Sequence, residues 1–468
     1  VSQDPPQDGL PSNVRWVAMV ALAISTSIST LVGSIANIAL PTIAHDMAVT
    51  PADSIWVVNA YQLAVTLSLM PLASLGDIYG HRRVYMAGLV LYTTASLGCA
   101  LAPSLPVLVI ARALQGLGGA GIISVNGALL RLIFPRAMLG RGVGYNSLVV
   151  ASSSAAGPPL AAGIMALASW PWMFALQVPC GIVALLISLR FLPRSPRTGH
   201  SFDPPSAVLN ALTMGLFITG LDGLGHGIRS WRAMGELAAG IAIGVVFVRR
   251  QLRLRAPMLP VDLFRQPVFG LSVATGSCAH GAQMIVMLAL PFYFQYVEGL
   301  SPIDIGLLIT PWPAVLVIVA PIAGRLSDRY PAGLLGGLGL TVMAIGLITV
   351  LFIPLHASRL DIAWRLMLSA TGFGFFQSPN NRLIIGSAPP DRVGVGSAMV
   401  GVARLVGQTV SGALVALVFG LTHNATNPVS VGTHVAIGMA ACFAGLAMCL
   451  SWMRLRPDSA QPVVRPAQ

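Results

Sequence analysis

Two short stretches hold residue types that could do chemistry in or beside a membrane. The first, residues 73–83, reads ASLGDIYGHRR and sets one acid, Asp77, and a turn glycine, Gly80, beside the basic cluster His81, Arg82 and Arg83. It lies between two long apolar runs, and an Arg-rich short link stays on the cytoplasmic side. The stretch returns at 324–331 as GRLSDRYP. Ala73 maps to Gly324, Leu75 to Leu326, Asp77 to Asp328 and Gly80 to Pro331 at one constant offset, and Arg329 follows the second acid. An echo of this kind points to two related halves. The second stretch, LVIARALQGLGGAG, places Leu108, Arg112, Gln115 and Gly119 on one helix face. Arg112 then sits roughly 10 Å below the outer end of its helix. A charge at that depth is costly and faces a cavity or a partner, the alternative being that it snorkels to the outer surface. Gln115 beside it would line the same polar cavity.

Other patterns lead nowhere. Residues 116–121, GLGGAG, match G-x-G-x-x-G, but no strand precedes them and no acid follows about twenty residues on. Small residues in an apolar span let helices approach closely instead. His356 and Asp361 match an H-x-x-x-x-D pattern in a short outer loop without a second catalytic group, so no enzyme is expected. Cys99, Cys180, Cys278, Cys442 and Cys449 show no ligand spacing and read as packed small residues, with no disulfide, metal or cofactor.

The elements that must position these residues are membrane helices. The chain has 468 residues, 55% hydrophobic and only 9% charged, where a soluble domain carries about 25% charged residues. Mean hydropathy is +0.79. The net charge of +12 would suggest nucleic acid in a soluble protein. Here the basic residues lie between apolar runs, so topology accounts for them and no nucleic-acid partner is expected.

Runs of about 20 apolar residues predict fourteen spans, near 16–40, 54–75, 84–102, 105–127, 142–168, 172–192, 206–225, 233–248, 267–295, 303–323, 332–354, 364–386, 394–421 and 433–453. The first lacks an A-x-A cleavage pattern and reads as a retained span. With the N-terminus inside, twenty-one arginines fall in inner segments and four in outer loops, Arg229, Arg232, Arg359 and Arg365. Two, Arg112 and Arg404, fall inside spans. That asymmetry puts both termini in the cytoplasm. The division that follows is a tail at 1–15, a six-helix bundle at 16–192, a Pro- and Ser-rich linker at 193–205, and two extra helices with a basic loop at 206–266. A second six-helix bundle at 267–453 and a cytoplasmic tail at 454–468 complete it.

Polar and aromatic side chains recur along the spans as a small-molecule cavity needs. They are Asn37, Tyr61, Gln62, Gln115, Gln283, Gln295, Phe376 and Asn380, with Arg404 lining the cavity, snorkelling inward or pairing with a backbone carbonyl. Gly157, Pro158 and Pro159 fall mid-span in the fifth helix, where two prolines remove backbone donors.

Together these residues resemble the major facilitator superfamily, and more narrowly its fourteen-helix drug:proton antiporter family. Asp77, Gly80 and Arg82 match the loop signature G-x-L-x-D-R-x-G-R-R/K, with Ala73, Ile78 and His81 departing. R-x-x-Q-G-x-G is complete from Arg112 through Gln115 and Gly116 to Gly118. The antiporter signature keeps Gly157 and Pro158, with Ala161 and Ala162 for its paired glycines. WPWMFALQVPCG at 170–181 is similar to W-R-W-x-F-x-x-N-x-P-x-G, with Pro171 and Gln177 departing, and FGFFQSPNN and LPFYFQ look like family segments.

The resemblance implies an all-α fold of two six-helix bundles plus two central helices, working by alternating access. It implies a charge lock of Asp77, Arg82 and Arg83, echoed by Asp328 and Arg329, at the inner face. It implies proton coupling through Arg112, and an apolar multispecific cavity. The expectation is a secondary exporter of amphiphilic drugs or toxic small molecules by proton antiport, in the inner membrane. Its partners would be a small-molecule substrate, protons and the lipid bilayer, with a periplasmic adaptor left open. An exporter of a neutral or anionic metabolite is the alternative, and a non-transporting receptor a further one. One departure bears on this. The family often reads L-D-x-T-I-V-N-V-A-L-P in helix one, and residues 31–41 read LVGSIANIALP, with Val32 at the acid's position.

Overall fold

The computed structural model describes residues 9–135, 138–193, 203–225, 230–254, 261–327, 329–387 and 393–454. Among these every regular element is a helix. In order they are α1 (Ser12–Asp46), α2 (Pro51–Ser54), α3 (Trp56–Tyr79), α4 (His81–Ala100), α5 (Leu105–Ile133) and α6 (Leu139–Leu167). Then come α7 (Trp172–Ala175), α8 (Gln177–Phe191), α9 (Pro204–Gly225), α10 (Ser230–Gln251) and a 3₁₀ turn (Val261–Arg265). The chain continues through α11 (Pro267–Tyr296), α12 (Pro302–Ile309), α13 (Pro311–Leu326), α14 (Ala332–Leu351), α15 (Arg359–Gly386), α16 (Val393–Leu421) and α17 (Pro428–Met453).

Among the described residues, 12 helical runs are long and apolar enough to cross a membrane. The fourteen spans expected from the sequence are not reached by this measure. The two that drop out are α4 and α15, with 20 and 28 residues. Length is not what they lack. α4 opens on His81, Arg82 and Arg83, and α15 carries Arg359, Asp361, Arg365, Asn380 and Arg382, which lowers their apolarity.

The chain forms two compact units that cut across sequence order. Unit 1 comprises Val1–Leu259, Met287–Thr310 and Gly412–Thr433, and unit 2 comprises Pro260–Val286, Pro311–Ser411 and His434–Gln468.

In unit 1 a single residue, Gly80, joins α3 to α4 with φ +99°, a conformation glycine adopts without a Cβ penalty. The expected tight link is therefore present. The GLGGAG run lies inside α5 and serves close packing. A Cβ on Gly121 would stand 2.9 Å from the Cα of Gly88 on α4. The helices α9 and α10 are tied, at the start of α9 and the end of α10, by Arg250, whose Nη2 donates to Asp203 Oδ1 at 2.9 Å, and by Gln251, which donates to Ser206 Oγ at 2.7 Å. Burial pulls the Asp203 carboxyl up, but hydrogen bonds from Ser206 and Arg250 outweigh it and hold it below its ordinary value. The pair docks on α3, with Trp56 Nε1 donating to Asp222 Oδ1 at 2.8 Å.

In unit 2 the α14–α15 contact repeats the α4–α5 pattern. A Cβ on Gly339 would stand 2.7 Å from the carbonyl oxygen of Gly372. The halves also echo each other in their caps. Thr50 and Ser301 each accept a hydrogen bond from the backbone N–H of an aspartate three residues on, Asp53 at 3.1 Å and Asp304 at 3.2 Å. Ser358 does the same for Asp361 at 3.1 Å. Three acids near helix ends are thus N-terminal capping partners. The cysteines are less uniformly packed than expected. Cys99 is buried and Cys278 partly so, whereas Cys180, Cys442 and Cys449 are exposed on outward helix faces.

Candidate functional site

Arg112 is a buried charge within unit 1. It is 0% exposed. Its Nε donates to the carbonyl of Val57 at 2.7 Å and its Nη1 to Gln115 Oε1 at 2.6 Å. The guanidinium lies 4.5 Å from the Tyr61 ring centroid and 5.5 Å from that of Phe174. These π faces stabilise a cation where water cannot reach it. Nη2 has no hydrogen-bond partner, and no acid among the described residues faces the group. Arg112 does not snorkel, and Gln115, also 0% exposed, is buried between helices.

The hub extends beyond what the sequence suggested. Gln115 Nε2 donates to Ser96 Oγ at 2.8 Å and to Gln177 Oε1 at 3.3 Å. Gln177 Oε1 also accepts from Tyr92 at 2.5 Å, and its own amide donates to the carbonyl of Met173 at 2.9 Å. Gln177, Tyr92 and Ser96 were not singled out as site residues. The only trace was Gln177 standing where the resemblance expects Asn.

The other unit 1 candidates are also largely buried. Tyr61 is 5% exposed and donates to the carbonyl of Ser29 at 3.2 Å. Asn37 and Gln62 are buried. Gln295 accepts from Thr42 at 3.4 Å, and Tyr296 beside it donates to the carbonyl of Pro41 at 3.1 Å. Gly116 packs against the backbone of Tyr61. Gly157 and Pro158 are buried in α6, and a Cβ on Gly306 of α12 would stand 2.9 Å from the Pro158 carbonyl. This segment thus serves a close helix approach. Val32 is 1% exposed, facing protein and not lipid.

At the α3–α4 link, Asp77 Oδ1 lies 3.5 Å from His81 Nε2. Arg82 donates to the carbonyl of Leu189, and Arg83 is exposed. Burial holds the His81 imidazole below its ordinary value, against the opposing pull of Asp77. Of the second-half echo, Asp328 lies outside the described residues, and Arg329 is exposed. Arg382 donates to the carbonyl of Ser327 at 2.8 Å.

Unit 2 gathers a separate polar set. Phe376 is 0% exposed and Asn380 2%, while Gln283 and Arg404 are half-buried. Asn380 donates to the carbonyl of Ser272 at 3.1 Å, and its Oδ1 accepts from Arg454 at 2.9 Å. Arg454, read from sequence only as an inner-face charge, is 8% exposed and also donates to Ser272 Oγ at 3.1 Å. Burial pushes its guanidinium down to about 10.

This arrangement suits transport more than bond chemistry, with fixed cations held by neutral acceptors inside helices. Proteins similar to this chain are named as transporters. The chain is 50% identical over 450 residues to the uncharacterized transporter YebQ of Escherichia coli, covering 96% of this chain and 97% of that one. It is 30% identical to the multidrug efflux pump LfrA of Mycolicibacterium smegmatis, over 88% of this chain and 83% of that one. It is 28% identical to the riboflavin transporter RibZ of Clostridioides difficile, over 94% and 98%. Among solved structures, an inward-facing bacterial homologue of the human lysosomal transporter Spinster superposes with a TM-score of 0.71 at 13% identity, covering 97% of this chain and 100% of that one. The Major Facilitator Superfamily model matches residues 22–412. The chain is therefore a multi-pass membrane transporter that belongs to the major facilitator superfamily.

Proposed function

We propose that this transporter exports amphiphilic small molecules by proton antiport across the inner membrane, with fourteen crossings and both termini in the cytoplasm. The observation that carries the reading is the Arg112 hub, a fully desolvated cation with no facing acid, placed on R-x-x-Q-G-x-G. A charge kept at such cost inside a membrane helix marks a functional site. Relatives named for multidrug efflux support the export direction. The helices α4 and α15 supply the thirteenth and fourteenth crossings. At 20 and 28 residues they are long enough to span about 30 Å, and each packs closely on a neighbouring helix, α4 on α5 and α15 on α14. Asp77 and His81 would control the inner face.

A second reading, export of a neutral or anionic compound, is favoured by the charges themselves. Among the described residues the acids lie in links or within two turns of helix ends and none faces Arg112, which is fully buried about two turns into α5, while Arg404 lies about three turns into α16. A relative named as a riboflavin transporter fits that chemistry.

Proteoliposomes holding the purified protein test both readings. The probes are ethidium, dequalinium, riboflavin and fluorescein, with a dye reporting internal pH. Accumulation of any probe driven by a proton gradient, with matching gradient loss, supports proton antiport. Probe movement indifferent to the gradient overturns it. The charge of the preferred probe decides between cationic drugs and neutral or anionic compounds.

A further inference from the structure

A proton-driven transporter needs a group that binds and releases a proton within the membrane. The described acids do not lie there. Asp53, Asp304 and Asp361 cap helices, Asp222 holds Trp56, and Glu298 accepts from Tyr293 at 3.3 Å. Arginine does not release its proton. Histidine is the side chain whose ordinary affinity lies near neutral pH.

We propose that His280 is the membrane-embedded proton site of this transporter, taking the proton on Nε2, with Arg404 as the fixed charge beside it. The proposal rests on the proton-driven reading above and names the group that would carry it. His280 lies near the middle of α11, roughly 20 Å from either end at 1.5 Å per residue, and is 4% exposed. Its Nδ1 stands 2.8 Å from the carbonyl oxygen of Gly276. A carbonyl only accepts, so Nδ1 carries the hydrogen in the neutral ring, and the lone pair is on Nε2. The ring stands edge-on to Phe373, at 5.2 Å between centroids and 88° between planes, which fixes its orientation.

The groups facing His280 are few. From α15 it meets Phe373, while Arg359, Asp361, Arg365 and Arg382 lie toward that helix's ends. From α16 comes Arg404, next in the chain to Ala403, which packs at Gly276. That helix runs close here: a Cβ on Gly276 would stand 3.5 Å from Ala403, and one on Gly281 2.5 Å from Ser411 Oγ. From α17 the apolar Phe443 packs at Gly281, with His434 in the second turn of its helix. On α11 itself Cys278 is the nearest other titratable group. A proton from outer water would bind the Nε2 lone pair, giving an imidazolium beside the Arg404 guanidinium. These like charges repel, so the proton loads from the acidic side and leaves to inner water, with no other bond made or broken.

The test uses the full chain in proteoliposomes with the four probes named above. For whichever probe the wild type accumulates, His280→Gln lowers gradient-driven accumulation and proton flux at least tenfold, while gradient-free exchange falls less than threefold. Arg404→Gln, which leaves the imidazole in place, moves the midpoint of the transport–pH profile upward by about one unit or more. Wild-type proton flux in His280→Gln, or exchange lost in parallel with accumulation, overturns the assignment. So does an unmoved profile in Arg404→Gln. A wild type that couples no probe to protons overturns the proton-driven reading itself, a result distinguishable from the others because it precedes any substitution.

Discussion

Arg112 and Gln115 meet at 2.6 Å one turn apart on α5, so the cation's principal side-chain acceptor is a neutral amide. A carboxamide carries no charge to cancel the guanidinium. The site keeps its positive field, and Gln115 is itself held by Ser96 and Gln177. Burying a charge this way is expensive, and the cost is offset by π faces and backbone as well as by amides.

Arg112→Lys should therefore fail. A lysine ammonium cannot donate along the two fork directions that reach the Val57 carbonyl and Gln115, nor stack over Tyr61. Transport should drop at least tenfold, to the level of Arg112→Ala. Gln177→Ala orphans one Gln115 donor, while the Tyr92 hydroxyl keeps the Ile28 carbonyl at 2.8 Å; the loss costs about 1–3 kcal/mol and lowers the unfolding temperature in detergent. Near-normal flux in Arg112→Lys would remove the hub from the mechanism.

How much of this was legible in the sequence depends on the range of the interaction. Helix positions follow from apolar runs, and the α3–α4 link from Asp77, Gly80 and His81. The capping pairs Thr50–Asp53 and Ser301–Asp304 are also local. Arg112 was visible because a charge in an apolar run stands out. Its surroundings were not, because Tyr92, Ser96 and Gln177 join it from other helices, and a lone polar residue in a span carries no signature of its partner. The same holds for Arg454, which looks like a routine inner-face arginine until Asn380 and Ser272 are brought to it. The short helix α7 was hidden as well, because the break at Leu176 falls inside an apolar run.

At the inner link, neutral His81 is the form burial favours. The sign follows from linkage. The folded value lies below the ordinary 6.5, so this stabilising contribution is present above that pH and is lost as pH falls from there through the folded value. Acidification should lower the unfolding temperature of wild type more than that of His81→Gln, measured side by side in detergent. Under the proposed gating role, Asp77→Asn should slow flux about tenfold while substrate binding changes less than twofold. Equal loss of binding and flux would refute a gating role.

The fourteen-crossing topology makes its own demand. Reporter fusions after His200 and after Pro457 should both read cytoplasmic, since the inner segments carry the arginines. A periplasmic reading at either point means that α4 or α15 does not cross.

The charge of the substrate turns on Val32. This side chain is 1% exposed inside unit 1, so an acid placed there meets protein and whatever passes through it, not lipid. Without that acid a permanent dication would bear its desolvation alone, with Arg112 of the same unit repelling it. Wild type should therefore favour riboflavin or fluorescein over dequalinium. Val32→Asp should raise the dequalinium-to-riboflavin transport ratio about fivefold or more. Val32→Asn, close in size and uncharged, separates the effect of charge from that of a disturbed core, and should leave the ratio near wild type. The rival source of negative charge is an acid near a helix end. Asp222 and Glu298 are engaged with Trp56 and Tyr293, which argues against either serving a substrate. Strong wild-type export of dequalinium that Asp222→Asn or Glu298→Gln abolishes would show that one of these acids reaches the cation after all, and the preference for uncharged and anionic compounds would fall.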